Sequence, residues 1–256
     1  MSGILDAFKL DGKVALVTGS ERGLGRGMAV ALAQAGADIV GVTHTAEAPE
    51  TAAAIEATGR KYVHVQANLL SIEPIEGVVA KAVEAFGHID ILVNNAGIIM
   101  RNDSVDFTEK EWDDVMNINV KAVFFMCQAV ARQFIKQGNG GKIVNIASML
   151  SFQGGIRVPS YTASKSGVKG ITMLLANEWA KHGINVNAIA PGYMATDNTT
   201  ALRADEARNA AILDRIPAGR WGTPEDLGGA VVFLSSAAAD YINGYTLAVD
   251  GGWLAR

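Results

Sequence analysis

Apolar positions along the chain fall into two alternating kinds of run. Short runs rich in β-branched residues recur at 13–18, 38–43, 61–66, 89–94, 142–148, 184–189 and 245–249. Most are apolar at nearly every position, the pattern of strands covered on both faces, whereas 61–66 alternates. Between them, apolar residues return every three or four positions over 28–36, 49–58, 75–86, about 109–136, about 161–182 and 224–235, with Gly59 and Gly87 ending two of these helices. Strict strand–helix alternation predicts a single α/β domain over 1–256, a doubly wound, seven-stranded parallel sheet with helices on both faces. Such sheets bind ligands outside the carboxyl ends of their strands. Gly19, Asn94, Ser148 and Pro191 fall at those ends. The longest stretch without a pattern, about 192–223, is expected to be a substrate loop.

Composition narrows the class. Of the 256 residues 49% are apolar and 19% charged, with a mean hydropathy of +0.19, as a sheet buried on both faces requires. A net charge of −4 gives no basic footprint for nucleic acid or anionic membrane. Residues 1–13 lack the apolar centre of a signal peptide, and no run reaches membrane-spanning length. The lone cysteine, Cys127, excludes an intrachain disulfide and reads as core, so a cytoplasmic location is expected. His44, His64, His88 and His182 are scattered without ligand spacing, and no catalytic metal is predicted.

The densest chemistry lies in 148–165. Tyr161 and Lys165 are four apart, so on a helix both leave one face. A free phenol has a pKa of about 10, too high for a base near neutrality. A neighbouring ammonium favours the phenolate, which abstraction of an alcohol proton needs. Ser148, ending a strand, is placed to hold a substrate oxygen. Five Tyr and eleven Lys give roughly 0.2 chance matches to this spacing, so the pair is weak without its context. That context includes Thr18-Gly-Ser-Glu-Arg-Gly-Leu-Gly25, a glycine loop linking a strand to a helix, where a pyrophosphate can approach backbone N–H groups. Its spacing is G-x-x-x-G-x-G rather than the dinucleotide fingerprint G-x-G-x-x-G. An acidic residue ending the second strand selects NAD and an Arg there selects NADP. Thr43 and His44 stand at this point and are neither, and Arg22 in the loop is a candidate for a 2′-phosphate. NAD is expected, with NADP possible.

Together the motifs resemble the short-chain dehydrogenase/reductase family over essentially the whole chain. They are Thr18-Gly19-x-x-x-Gly23-x-Gly25, Asn94-Asn95-Ala96-Gly97, Asn119, Ser148, Tyr161-x-x-x-Lys165, and Pro191-Gly192 followed by Thr196. Asn68 departs mildly from the Asp often found there. The resemblance implies a Rossmann-type fold and an oxidoreductase. It makes Tyr161 the general acid/base and Lys165 the group that lowers its pKa and bonds the nicotinamide ribose. Ser148 would position the reacting oxygen, and Asn119 would hold a water in a proton relay. Gly19, Ser20, Arg22, Gly23, Leu24 and Gly25 would bracket the pyrophosphate. Thr43, Asn68, Leu69, Asn95, Ala96 and Gly97 would line the adenosine side, and Pro191, Gly192 and Thr196 the nicotinamide.

Residues 149–161, 187–196, 216–222 and 249–256 are similar to a subfamily of dehydrogenases of deoxy-gluconate-type sugar acids, the 2-dehydro-3-deoxy-D-gluconate 5-dehydrogenases of uronate and pectin breakdown. A sugar-acid carboxylate calls for a cation, and Arg supplies two parallel bonds. Arg157 with Gln153 is the candidate for this contact, Arg101 the reserve, and Tyr193 a wall of the pocket. The family implies a homotetramer, for which apolar stretches around 120–127 and 253–254 are candidates. Rival readings are a gluconate 5-dehydrogenase, a 3-oxoacyl-[acyl-carrier-protein] reductase and a non-enzymatic nucleotide sensor. The second would want a basic rim and an Arg at position 44; the third would want a broken Asn119–Ser148–Tyr161–Lys165 set.

Overall fold

A computed structural model describes residues 3–45 and 47–256; Met1 and Ser2, where the N-terminal reading begins, lie outside the described residues, as does Ala46. The elements run β1 (Val14–Thr18), α1 (Gly23–Gln34), β2 (Asp38–Thr43), α2 (Pro49–Glu56), β3 (Tyr62–Gln66), α3 (Ile75–Phe86), β4 (Ile91–Asn94), α4 (Glu109–Met116), α5 (Val123–Gln137), β5 (Gly141–Ile146), α6 (Pro159–Trp179), β6 (Ile184–Pro191), α7 (Thr200–Ala204), α8 (Glu206–Arg215), α9 (Gly228–Ser235) and β7 (Thr246–Val249). The strands form one parallel sheet in the order β3-β2-β1-β4-β5-β6-β7. The order reverses between β1 and β4, which opens a crevice at their carboxyl ends.

Alternate residues of the buried strands feed two cores. Val14 and Leu16 of β1 join α3 and α5 through Val78, Val79, Met126 and Val130. Ala15 and Val17 face the other way, onto Met28 and Leu32 of α1 and Val231 of α9. Burying the sheet on both sides explains why its strands are nearly all apolar. Between the sheet and α6 lies a polar chain: Asn94 Nδ2 donates to Asn145 Oδ1 at 2.9 Å, and Asn145 Nδ2 donates to Thr172 Oγ1 at 3.0 Å.

Two expectations are corrected and one is refined. The helix expected over 109–136 runs unbroken from Glu109 to Gln137, but Asn117–Ala122 widens into a π-helical segment between α4 and α5. The stretch 192–223 is not irregular. It carries α7 and α8, and Asp205 caps α8 by accepting from Arg208 N at 3.0 Å. Its apolar periodicity was masked because α8 buries only Ile212. Finally, α6 starts at Pro159 rather than Tyr161, with proline in the first turn where its missing N–H costs nothing.

Candidate active site

The crevice begins at the β1–α1 turn. Thr18 Oγ1 accepts from Asn95 N and Ala96 N, each at 3.0 Å, and Asn95 Nδ2 donates back to Thr18 O and Gly19 O at 3.0 and 3.1 Å. The loop is therefore stapled to the end of β4. Gly19 takes a φ of 66°, and a Cβ there would come within 2.9 Å of Asn95 Nδ2. A Cβ on Gly25 would sit 2.0 Å from Gly19 O, so only glycine permits this coil. Among the described residues, no side chain caps the first turn of α1, which leaves its N–H groups for a ligand. Ser20 Oγ is buried and faces Gly41 beside the Tyr62 hydroxyl. An uncapped helix start above a side-chain-free cradle fits a dinucleotide pyrophosphate. Leu24 packs into the core below, and Arg22 is exposed and paired with Asp197 at 3.3 Å.

Toward the adenosine end, Thr43 is buried and its hydroxyl is used: it donates to Thr45 O at 2.7 Å and meets His64 Nε2 at 2.6 Å. Thr43 thus shapes the β2 end from below, and exposed His44 faces the cleft with Gln66, Asn68 and Ser71. Leu69 is buried, and Asn68 Oδ1 accepts from Leu70 N at 3.1 Å. At the opposite end, Pro191 closes β6, Gly192 N bonds Val249 O at 3.0 Å, and Thr196 approaches Gly23, with Thr196 Cγ2 3.8 Å from where a Gly23 Cβ would lie.

Four predicted residues converge between β4, β5 and α6. Asn119 lies in the π-helical segment, buried, and is tied to one backbone unit: Ile98 N donates to its Oδ1 and its Nδ2 donates to Ile98 O, both at 2.9 Å. Its second Nδ2 donor goes to Ser164 Oγ at 3.1 Å. With both donors used, the amide serves as a brace between α6 and the loop after β4. Ser148 accepts from Leu150 N at 3.1 Å, which fixes its hydroxyl at the start of a short turn. Tyr161 and Lys165 share one face of α6, with Lys165 Nζ 5.5 Å from the phenol ring centroid and bonded to Ile146 O at 2.6 Å.

The electrostatics differ from expectation. Burial pushes the Tyr161 phenol above its ordinary value, against the opposing pull of the Ser148 hydroxyl and the Arg101 guanidinium. Burial also brings the Lys165 ammonium down to about 8. Lys165 spends its short bond on Ile146 O rather than on the phenol, and stands 5.5 Å from the phenol ring centroid, while the Arg101 guanidinium also pulls the phenol down.

The substrate candidates sort in the same way. Arg157, at a φ of 63°, pairs with Asp103 at 2.9 Å, both exposed, so the guanidinium is already matched. Gln153 Oε1 accepts from Arg215 Nη2 at 3.3 Å and Trp253 Nε1 at 3.2 Å. Tyr193 stands edge-on between Trp221 and Trp253, at 5.3 and 4.8 Å between ring centroids. Burial raises its phenol, and Arg208, Arg215 and Arg101 each oppose that. Sequence reasoning missed Arg208 and Arg215. Seven apart, they lie two turns apart on one face of α8, a spacing visible only once 206–215 is helical.

A dinucleotide cradle at a strand-order reversal, joined to a serine, a tyrosine and a buried lysine, defines a nicotinamide-dependent oxidoreductase fold. A sequence profile of the family described as "Enoyl-(Acyl carrier protein) reductase" matches residues 18–254, and the chain belongs to the short-chain dehydrogenase/reductase family. It is 68% identical over 253 residues to the 2-dehydro-3-deoxy-D-gluconate 5-dehydrogenase of Escherichia coli strain K12, covering 99% of this chain and 100% of the relative. A crystal structure from Agrobacterium tumefaciens with bound NADP matches with a TM-score of 0.92 at 58% identity, covering 98% of this chain and 100% of the other. A gluconate 5-dehydrogenase from Burkholderia cenocepacia J2315, in complex with NADP and tartrate, matches with a TM-score of 0.95 at 40% identity, over 99% and 100% of the two chains.

Proposed function

We propose that this oxidoreductase transfers hydride between NAD(H) and the C5 position of 2-dehydro-3-deoxy-D-gluconate, in uronate and pectin breakdown. The observation that carries the reading is the likeness, over the full length of both chains, to the Escherichia coli enzyme of that name. The geometry supports it, because Lys165 Nζ stands 5.5 Å from the Tyr161 ring centroid on the same face of α6. In this reading Ser148 holds the reacting oxygen and Tyr161 takes the hydroxyl proton, while the dinucleotide accepts hydride at its nicotinamide. Lys165 holds a positive charge behind the phenol, and Asn119 keeps α6 in register with the loop after β4. Arg101 takes the carboxylate, since its guanidinium acts on the Tyr161 phenol whereas Arg157 pairs with Asp103 at the surface. Gln153 and Tyr193 line the pocket, and the substrate loop is α7 with α8.

Gly19, Ser20, Gly23, Leu24 and Gly25 shape the pyrophosphate site, Asn95, Ala96 and Gly97 the adenosine wall, and Pro191, Gly192 and Thr196 the nicotinamide site. No carboxylate ends β2, so NADP is accepted beside NAD, with Arg22 and His44 at its extra phosphate. Of the candidate interface stretches around 120–127 and 253–254, Ala122, Val123, Met126, Cys127 and Trp253 are buried within the chain; exposed Trp112, Met173 and Leu174 on α4 and α6, and exposed Tyr245 before β7, supply apolar faces for a homotetramer in the cytoplasm instead. Among the described residues, no helix is long and apolar enough to cross a membrane.

Initial rates test the proposal. Turnover of 2-dehydro-3-deoxy-D-gluconate is expected to exceed that of D-gluconate and of 3-oxoacyl thioesters, with either dinucleotide. A preference for a thioester would overturn it. Arg101→Met is expected to raise KM for the sugar acid about 10-fold or more, and Arg157→Met to leave it unchanged.

A further inference from the structure

Gln153 lies five residues beyond Ser148, on the segment that leaves the candidate oxygen-binding site. Its amide has two ends of opposite chemistry, an acceptor oxygen and a donor nitrogen. Two groups that can only donate meet it: the indole N–H of Trp253 at 3.2 Å and the guanidinium of Arg215 at 3.3 Å. Both land on Oε1. A flipped amide would point its own N–H₂ at two donors, so the orientation is set. The Nε2 end makes no hydrogen bond among the described residues and remains a donor for an outside acceptor.

The two partners also hold each other. The Arg215 guanidinium lies 4.0 Å from the Trp253 ring, and Arg256 donates to the carbonyls of Asp214 and Arg215 at the end of α8. Trp253 is buried, packed with Met149, Ile212 and Ile216, and its ring stands against Tyr193. Met149 is the immediate neighbour of Ser148, so this cluster is continuous with the site.

We propose that Trp253 and Arg215 are positioning residues that fix the Gln153 amide as a hydrogen-bond donor toward an acceptor group of the substrate, its carboxylate or the carbonyl beside it. The inference rests on the reading that Gln153 meets the sugar acid. It also gives the segment after β7 a part in substrate choice: residues distant in sequence from the reacting groups set which end of an amide the substrate meets.

Steady-state kinetics on single and double variants test this. Gln153→Met is expected to raise KM for the sugar acid about 10-fold, with KM for the dinucleotide unchanged. Trp253→Phe keeps the ring and deletes only the N–H. It is expected to raise the same KM several-fold, about 3- to 10-fold, while kcat changes less than about 2-fold. Arg215→Lys, which keeps the charge and loses the fork, is expected to act in the same direction. Placed in the Gln153→Met background, Trp253→Phe is expected to add nothing. An unchanged KM in Gln153→Met refutes the reading of Gln153 and the inference with it. A raised KM in Gln153→Met with wild-type KM in Trp253→Phe and Arg215→Lys sinks the inference alone. So does a Trp253→Phe effect of equal size in both backgrounds, which would mark a general packing defect.

Discussion

Replacing Lys165 by Met is expected to make the protein more stable and nearly inactive. The side chain is 5% exposed, and the hydrogen bond described for its ammonium goes to Ile146 O at 2.6 Å. Burial takes its pKa from 10.5 to about 8. At pH 7, holding the ammonium charged therefore costs on the order of 3 kcal/mol relative to the unfolded chain. Met removes that cost and fills a similar volume, but leaves the Ile146 carbonyl unpartnered at about 1–3 kcal/mol. The expected net gain is about 1 kcal/mol, or roughly 2–4 °C in Tm for a chain of this size. The pH dependence carries the sign. The folded-state pKa lies below the unfolded one, so the unfolded chain binds the extra proton between about 8 and 10.5. Wild-type stability then rises with pH through that window, and the advantage of the variant shrinks. Denaturant unfolding of both proteins at pH 7 and pH 10, without dinucleotide, measures this. Turnover of the variant is expected to fall by about 10²-fold or more. A stability gap that stays flat from pH 7 to pH 10, or a variant several kcal/mol weaker than wild type, would refute the reasoning.

Other expectations follow from single contacts. Tyr161→Phe is expected to fold as wild type, with kcat lower by about 10²–10⁴-fold in steady-state assays. Gly25→Ala puts a Cβ 2.0 Å from Gly19 O; fluorescence titration is expected to show dinucleotide binding weakened by about 10-fold or more. Asn145→Ala takes one buried partner from each of Asn94 and Thr172, leaving them Cys127 Sγ and Val168 O, and urea unfolding is expected to register a loss of about 1–2 kcal/mol. Asp226 is held down to about 2 by its paired bonds from Arg220 and by Thr223 N. Its folded pKa lies below the unfolded one, so the stability it adds is present above about pH 4 and lost as pH falls toward 2. Asp226→Asn is expected to cost about 1 kcal/mol at pH 7, given the exposure of Arg220, and nothing at pH 2.

The sheet was legible because a parallel sheet buried on both faces leaves near-continuous apolar runs, and all seven predicted runs overlap strands. The candidate site was legible where chemistry needs a residue type at a fixed step: Tyr161 with Lys165 along a helix, and the glycines that leave the β1–α1 turn free of side chains. Substrate side chains were less so. Arg157 stood near Tyr161 in sequence, yet a left-handed backbone turns it onto Asp103. Gln153 takes its partners from residues 62 and 100 positions away. Lys165 was read as the cation behind the phenol and stands 5.5 Å from its ring centroid, while its bond to Ile146 O comes from the neighbouring strand end. Contacts of that kind follow from tertiary packing, which no spacing encodes.

The wide helical stretch of Asn117–Ala122 makes the enzyme's length as critical as its chemistry. A π-bulge holds one residue more than an α-helix needs for the same advance. Delete any one of these positions other than Asn119 and the regular repeat returns: the Glu109 and Val123 halves keep nearly their present relation, but the wide turn between them closes. Asn119 would then swing off Ile98, and the strap that keeps the loop after β4 alongside α6 would part. A single-codon deletion there would disarm the protein while leaving every named side chain of the reaction in the sequence.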